Sequence, residues 1–579
     1  MSPDVKKDKI LSQFALIKDT KILNEINNKL GKTPLKYYVE FLNEKIYKSI
    51  KYNKSSEDYL GRFYGEFMSY SGGDGQALGI VLTPKHITDL FCDLVDIKST
   101  DTILDPCCGT GGFLVASMHH MLEKLNEEKL IYGMQENRFK QQQANIKQKQ
   151  LHGFELQPYM FTIATTNMIL RGDGKSNLIN DDFIAQNASK LQLNQSTVGM
   201  INPPYSQGSK QNPDLYEINF IKHLLDSLTV GGKCIAIIPQ SSMTGKTKEE
   251  SELKEYILAR HTLEGVITLN KDTFYGVGTM PCIAIFTAGI EHSPDKECKF
   301  IDFRNDGYKI SPHIGLIETE QAKDKKQHLL DVWFDRIESE TKFCVKTTVE
   351  PTDEWLHSFY YFNDEIPSEN DFERTISEYL TFEFSMIMQN REHLFDKNLK
   401  EITYKKVLSI QEKKWKGFAI ESLFDVLGTI TTHPSKLLIG GNIPRITCSS
   451  VNNGLDNFYI NEFTEEGGVL TIDSATIGHI SYQESDFIAT DHVEKILLKD
   501  QLNKKINRYL GLGLIACIRN ATINKFNYGY KFSQGRIKKQ IILLPVNEKE
   551  DPDYEYIEQY TKNIMYKKNK QYLDYINKN

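Results

Sequence analysis

Long apolar runs are missing from this 579-residue chain. No stretch has the length or hydropathy of a membrane-spanning helix, and the charged start MSPDVKKDKILSQF lacks the apolar centre of a leader peptide. Paired cysteines are missing too. The nine cysteines are scattered, odd in number and without a C-x-x-C pair, which excludes a disulfide framework and a zinc ribbon. There is no H-E-x-x-H, no phosphate-binding Walker loop and no cluster of metal ligands, so no metal is expected. A positive balance is absent as well: the formal net charge is -7, and any contact with nucleic acid has to come from a local patch. A reduced, cytoplasmic protein without a membrane partner is the expectation.

What is present is enough apolar and aromatic material, 40% and 11%, for several cores, and a length that calls for more than one domain. Residues 1–78 carry helical spacing, as in LKYYVEFLNEKIYKSI (35–50). From about 79 to 310 helical stretches alternate with short β-type runs: Thr102–Leu104, Gly153–Glu155, Val198–Ile201, Lys233–Pro239, Leu263–Leu269 and Pro281–Thr287. That alternation predicts an α/β fold with a doubly wound parallel sheet. Residues 311–405 read as a helical connector. Residues 406–579 read as a separate β-rich (α+β) domain that ends in a Tyr/Lys-rich helix.

The chemistry gathers at predicted strand ends. TILDPCCGTGGFLVAS (102–117) is a strand, an acid, a glycine cluster and an apolar helix. Gly109, Gly111 and Gly112 allow a sharp turn and a close ligand approach, and the following helix offers free N–H groups. The spacing is not that of the dinucleotide fingerprint, and Asp105 ahead of it suits a cationic group better than a pyrophosphate. The bland alternative is a tight turn without a ligand. Glu155 ends the next β-type run, where a ribose diol is bound in such sheets. Asp182 and Phe183, in NLINDDFIA (177–185), come at the next strand end, an acceptor for an adenine amino group and a ring to pack on the purine. Each acid alone would suit a solvated turn equally well. INPPYS (201–206) then closes the run Val198–Ile201 with two consecutive prolines between an asparagine and a tyrosine.

These stretches together resemble the N6-adenine DNA methyltransferases of type I and related type IIG restriction-modification systems. The resemblance covers residues 58–310, on LGIVLTPKHITDLF, LDPCCGTGGF, GFELQPYMFTIATTNMILRGD, NDDF, NPPY, LTVGGKCIAIIP and TFYGVGTMP, in the γ order of that family. It implies S-adenosylmethionine held by Thr83, Pro84, Asp105, Pro106, Gly109, Thr110, Gly111, Phe113, Glu155, Asp182 and Phe183. It implies catalysis by the Asn202, Pro203, Pro204, Tyr205 turn, on an adenine flipped out of duplex DNA and stacked by Tyr205 and Phe274. Asn202 favours adenine over cytosine N4. A cysteine nucleophile at Cys107 or Cys282 is the rival chemistry, and both read as packing residues.

Residues 415–560 resemble the target-recognition domain of a type I specificity subunit, on WKGFAIESLF, IPRITCSSVNNGL and NYGYKFSQGRIKKQIILLPV. No acid occurs between Asp500 and Glu548, a stretch that holds Lys525, Lys531, Arg536, Lys538 and Lys539 among interleaved Phe526, Tyr528, Tyr530 and Phe532. A basic, aromatic strip of this kind points to phosphate contact; a solvated face of an ordinary domain is the alternative. The residues ahead of TPKHI are short for a nuclease domain, and Pro294-Asp295 with Glu297-Cys298-Lys299 lacks the separation of a nuclease motif. The expected partners are therefore double-stranded DNA and a nuclease or specificity subunit on another chain. A catalytically silent specificity or scaffold subunit is the alternative function.

Overall fold

Among the described residues, nine strands build the main sheet of the chain's first body: β1 (Ile103–Asp105), β2 (Leu151–Phe154), β3 (Asn177–Ile179), β4 (Val198–Ile201), β5 (Lys233–Pro239), β6 (Thr262–Leu269), β7 (Pro281–Thr287), β8 (Cys298–Phe303) and β11 (Cys344–Thr347). β9 (Tyr308–Ser311) and β10 (Gly315–Glu318) form a separate hairpin. The structure is a computed structural model that describes residues 20–47, 82–171, 177–274, 278–311, 315–395, 402–475, 478–500, 504–526 and 530–578. The chain divides into two compact units, Met1–Tyr360 and Tyr361–Asn579. Most of the N-terminal segment expected to be helical lies outside the described residues. Its described part holds helices Thr20–Asn24 and Pro34–Leu42.

The strand order is β11-β8-β6-β7-β5-β4-β1-β2-β3. Strands β4, β1, β2 and β3 are mutually parallel, and β5 joins β4 in parallel. Runs such as VGMI in β4 and KCIAIIP in β5 are apolar almost throughout because helices cover both faces of the sheet. Burying Ile235 and Ile237 of β5 completely stabilises the sheet by about 1.5–3 kcal/mol per side chain. The chain leaves β1 toward β2 on one side and returns to β4 on the other. That reversal between β1 and β4 is the switch point at whose carboxyl ends doubly wound sheets bind ligands.

Three features differ from the sequence expectation. The sheet is mixed, since β7 runs antiparallel to β5 and β6. The link 270–280 is too short for the helical crossover of about a dozen residues or more that a parallel partner needs. Second, the run CKFIDF forms β8, parallel to β6. Third, the segment 311–405 is not one helical connector. Its β11 pairs with β8 as the sheet edge, and its helix Ala322–Trp333 donates the Trp333 indole N–H to the Leu94 carbonyl at 3.0 Å.

Four helices position the site. α1 (Lys85–Leu94) follows Pro84, α2 (Gly112–Tyr132) follows β1, α3 (Pro158–Leu170) follows β2, and α4 (Glu217–Ser227) precedes β5. α4 lies close on β4 because Gly199 has no side chain. A Cβ there would stand 2.8 Å from the Leu224 Cδ1.

Among the described residues, the second unit holds three small sheets and three longer helices. β12 (Trp415–Ala419) pairs with β20 (Ile541–Pro545). β13 (Phe424–Gly428), β19 (Val493–Leu498), β16 (Val469–Asp473) and β17 (Ile480–Gln483) form the second sheet, in that order. β15 (Leu455–Tyr459), β14 (Ile439–Ile446) and β18 (Ile488–Ala489) form the third. α5 (Glu369–Met388), from the expected connector, is tied into this unit by ion pairs Arg508–Glu383 and Arg519–Glu378. α6 (Arg508–Thr522) and α7 (Tyr554–Lys578) complete it.

Candidate active site

The loop after β1 is stitched to the end of β2. The Gly109 N–H donates to Glu155 Oε2 at 2.9 Å, and the Cys108 N–H to the Phe154 carbonyl at 2.9 Å. Gly109 (φ 54°) and Gly111 (φ 86°) are left-handed, so this turn into α2 needs glycine. Glu155 accepts from the Gln157 N–H through Oε1 at 2.8 Å. Burial raises its carboxyl above the ordinary range, against the pull of these donors. Asn180, just past β3, donates to the Glu155 carbonyl at 2.7 Å and to the Leu156 carbonyl at 3.0 Å. Sequence reasoning missed that clamp, although the amide that opens NDDF was its signal.

Asp105 is fully buried at the end of β1. Its Oδ1 accepts from the Cys107 N–H at 3.3 Å, and its Oδ2 has no hydrogen-bond partner. Burial pushes this carboxyl well above its ordinary value, and the neighbouring Glu155 charge adds to that. A buried acceptor without a donor is a costly feature, typical of a site awaiting a ligand cation or donor.

The diproline turn leaves β4 at the same sheet edge. Asn202 donates its side-chain amide to the Thr83 hydroxyl at 2.9 Å. Tyr205 donates its hydroxyl to the Ile237 carbonyl of β5 at 3.3 Å. Ser206 is left-handed (φ 59°), and its N–H is taken by Glu217 Oε1 at 2.7 Å. The other Glu217 oxygen accepts from the Ser242 hydroxyl at 3.2 Å. Glu217 is buried at the start of α4, so one carboxylate locks the turn to the loop after β5. It was not foreseen, because nothing in the spacing from Asn202 to Glu217 signals contact.

Several of the expected site residues are buried or already engaged in this structure. Tyr205 is only 6% exposed, and its ring meets Phe274 edge-on at 6.0 Å, so neither ring presents an open stacking face. Residues 275–277 beside Phe274 lie outside the described residues. Phe113 stacks on Phe91 in the core at 4.5 Å, and Pro106 and Thr110 are buried, so they shape the loop from beneath. Phe183 is covered by Phe154 and, edge-on, by His223. Asp182 is exposed, and its Oδ1 accepts from the Ile184 N–H at 2.9 Å. Thr83 faces Asn202, and Pro84 caps α1. Burial raises the Cys107 thiol well above its ordinary value and Cys282 is buried in β7, so neither is a nucleophile.

The basic strip of the second unit is corrected as well. Lys525 is 3% exposed; its ammonium donates to Gln540 Oε1 at 3.1 Å and lies over the Tyr361 ring. Arg536 is 7% exposed, lies over the Tyr530 ring and donates to the Lys531 carbonyl at 2.6 Å. Phe526 stacks on both Tyr530 and Phe532 inside the unit. Arg508 and Lys504 pair with Glu484 and Glu558 from outside the strip. Of the five cations singled out, Lys531 and Lys539 are exposed and Lys538 partly so.

Two family profiles match the chain. A sequence profile described as N-6 DNA Methylase matches residues 55–381, and one described as Type I restriction modification DNA specificity domain matches residues 412–573. The chain is 47% identical over 395 residues to the Type II restriction enzyme and methyltransferase RM.BcgI of Heyndrickxia coagulans, covering 68% of this chain and 60% of that protein. It is 29% identical over 185 residues to the Type II restriction enzyme BgcI specificity subunit S.BcgI of the same organism, covering 32% of this chain and 52% of that one. The chain thus spans little more than half the length of these relatives. Among solved structures it resembles a nuclease-deletion mutant of the Type ISP restriction-modification enzyme LlaGI in complex with a DNA substrate mimic. There the TM-score is 0.45 and the identity 14%, over 96% of this chain and 59% of the other.

Proposed function

This chain belongs to the N-6 DNA methylase family, and from that premise we propose that it is a site-specific DNA adenine methyltransferase acting on N6 of an adenine flipped out of duplex DNA. One observation carries the reading. Asn202, its amide end fixed by Thr83, stands at the same sheet edge as the buried, partnerless Asp105 Oδ2.

The residues at the ends of β1 and β2 fit S-adenosylmethionine. Asp105 Oδ2 offers a buried acceptor to an ammonium, the glycine turn lets a ligand approach the backbone, and Glu155 ends β2 where a ribose diol would lie. S-adenosylmethionine, when bound, supplies an activated methyl group. The chain's own part is to prepare the amine and exclude water. The adenine amino nitrogen is a poor nucleophile because its lone pair is delocalised. Asn202 Oδ1 and the Pro203 carbonyl would each accept one of its N–H bonds and draw it toward a tetrahedral shape, a preorganised stabilisation of the transition state. Pro203 and Pro204 restrict the turn, and Glu217 and Tyr205 fasten it from two sides. A base would enter beside Tyr205 and Phe274 and part their edge-to-face contact to be stacked.

The second unit is proposed to read the DNA sequence, in keeping with its specificity-domain match, with Lys531, Lys538 and Lys539 as candidates for phosphate contact. A nuclease or specificity subunit on another chain is the proposed protein partner. The test is methyl transfer from tritiated S-adenosylmethionine into unmethylated bacterial DNA, followed by methylation-aware sequencing. N6-methyladenine at one sequence context is expected. A folded protein that binds DNA and transfers no methyl would make the chain a silent specificity subunit instead.

A further inference from the structure

Three neighbouring strands of the main sheet, in the order β5-β4-β1, run into polar side chains at their carboxyl ends. β1 ends in Asp105, Asn202 follows β4, and Gln240 follows β5. The first two have tasks in the proposed reaction, and Gln240 has none. Its side chain is 3% exposed, and among the described residues its Nε2 meets no acceptor. A buried amide donor without a partner costs stability, and folded proteins satisfy nearly all of them. Such an atom at the edge where β1 and β4 present their polar groups is suited to a partner that arrives with the substrate.

The backbone around Gln240 is fastened to the proposed base site from three directions. Ile201, the last residue of β4, is level with Ala236, so β5 continues through Ile237, Ile238 and Pro239 beyond the end of β4. The Ile237 carbonyl accepts from the Tyr205 hydroxyl at 3.3 Å. The Gln240 N–H donates to the Met280 carbonyl at 2.9 Å, at the end of the link that carries Phe274, and the Phe274 ring meets that of Tyr205. Ser242, in the same turn as Gln240, donates to Glu217, which takes the Ser206 N–H. The residues that hold the diproline turn and the two aromatic rings therefore also fix where Gln240 stands.

Adenine needs such a donor. Once Asn202 Oδ1 and the Pro203 carbonyl accept the two N–H bonds of its amino group, the ring nitrogens that flank that group, N1 and N7, are acceptors and nothing else. Stacking holds a base by its faces and tolerates rotation in the ring plane. A third polar contact at the ring edge stops that rotation and keeps N6 aligned for methyl transfer. We propose that Gln240 contacts the substrate: its Nε2 donates to N1 or N7 of the flipped adenine and sets the rotation of the base in the site. The inference rests on the proposed methyltransferase function and deepens it.

The test uses the full chain and single-turnover methylation of a duplex carrying the methylated site. Placing 1-deazaadenine or 7-deazaadenine at the target replaces one ring nitrogen by C–H and keeps the amino group and the shape of the ring. The wild-type rate should fall about ten-fold on at least one of the two, which identifies the nitrogen contacted. Gln240→Met and Gln240→Leu lack the donor. They should be about ten-fold slower on natural adenine and no slower still on that analogue, because the bond is already lost. Melting temperature and S-adenosylmethionine affinity near wild type confirm that the variants are folded. Equal wild-type rates on all three bases would overturn the proposal without any variant. Wild-type rates in the folded variants would overturn it too, and so would variants that lose as much again on the analogue, as a residue with a structural role does. In each of these cases natural adenine is still methylated, so the methyltransferase reading stands and only the role of Gln240 falls. A wild-type protein that transfers no methyl overturns both.

Discussion

Asn202 and Thr83, 119 residues apart, are joined by a 2.9 Å hydrogen bond in which the asparagine amide nitrogen is the donor. In this arrangement the amide turns its nitrogen to Thr83. With Nδ2 committed to Thr83, Oδ1 is the end turned elsewhere, and only an oxygen can accept an N–H of a substrate amine. Thr83 belongs to TPKHI and Asn202 to NPPY, so the fold joins two motifs that the sequence keeps far apart.

Thr83→Val keeps the shape and removes the acceptor. The rate of methyl transfer at saturating DNA should fall about ten-fold, the loss of about 1–1.5 kcal/mol for one neutral hydrogen bond. Thr83→Ser should restore it, and calorimetry should show little change in S-adenosylmethionine affinity. A loss confined to cofactor affinity would return Thr83 to the cofactor-binding role expected from sequence.

Glu217→Ala releases both the Ser206 N–H and the Ser242 hydroxyl. The turn should lose its fixed geometry, with about a ten- to hundred-fold fall in rate and cofactor affinity nearly intact. Glu217→Gln keeps acceptor oxygen and shape, and should recover much of the rate. Equal losses in both variants would make charge, rather than position, the contribution of Glu217.

Asp105 makes a pH-dependent prediction. Its carboxyl is held above the ordinary range by burial, so the free protein pays for ionising it. That cost is absent below the unfolded carboxylate value near 4 and is full once pH passes the folded one. Asp105→Asn should therefore raise the melting temperature of the free protein at neutral pH, by about 1–3 kcal/mol of stability, and the gain should vanish in acid. The same substitution should weaken S-adenosylmethionine binding. A gain that persists in acid would contradict this account of Asp105.

Lys525 behaves in the opposite sense. Burial pushes its ammonium down to about 8, below the ordinary lysine value. The cost of burying the charge is full below about 8 and disappears as pH rises through the unfolded value of about 10.5. The stability of Lys525→Met relative to wild type should fall as pH is raised across that window, in denaturant titrations. Its DNA affinity should keep the wild-type salt dependence.

The sheet was largely legible in the sequence. Val198–Ile201, Lys233–Pro239 and Pro281–Thr287 match β4, β5 and β7 because strands covered on both faces read as unbroken apolar runs. Asp105 and Glu155 were legible for a related reason, as acids placed where such runs stop. What hid were relations that only tertiary neighbours decide. β7 shows no sequence mark of its direction, which the short link before it sets. Glu217 reads as an ordinary acid in a helical first turn. Lys525 and Arg536 read as solvated cations, yet Gln540, Tyr361 and Tyr530 enclose them.

Single-turnover methylation by Asn202→Ala tests the central claim most directly, with preformed complexes of enzyme, S-adenosylmethionine and a duplex carrying the target site. The substitution should slow methyl transfer by about a hundred- to thousand-fold, about 3–4 kcal/mol of barrier, while affinities for both ligands stay near wild type. A near-normal rate in the folded variant, or a methyl group found on cytosine rather than on adenine N6, would contradict it.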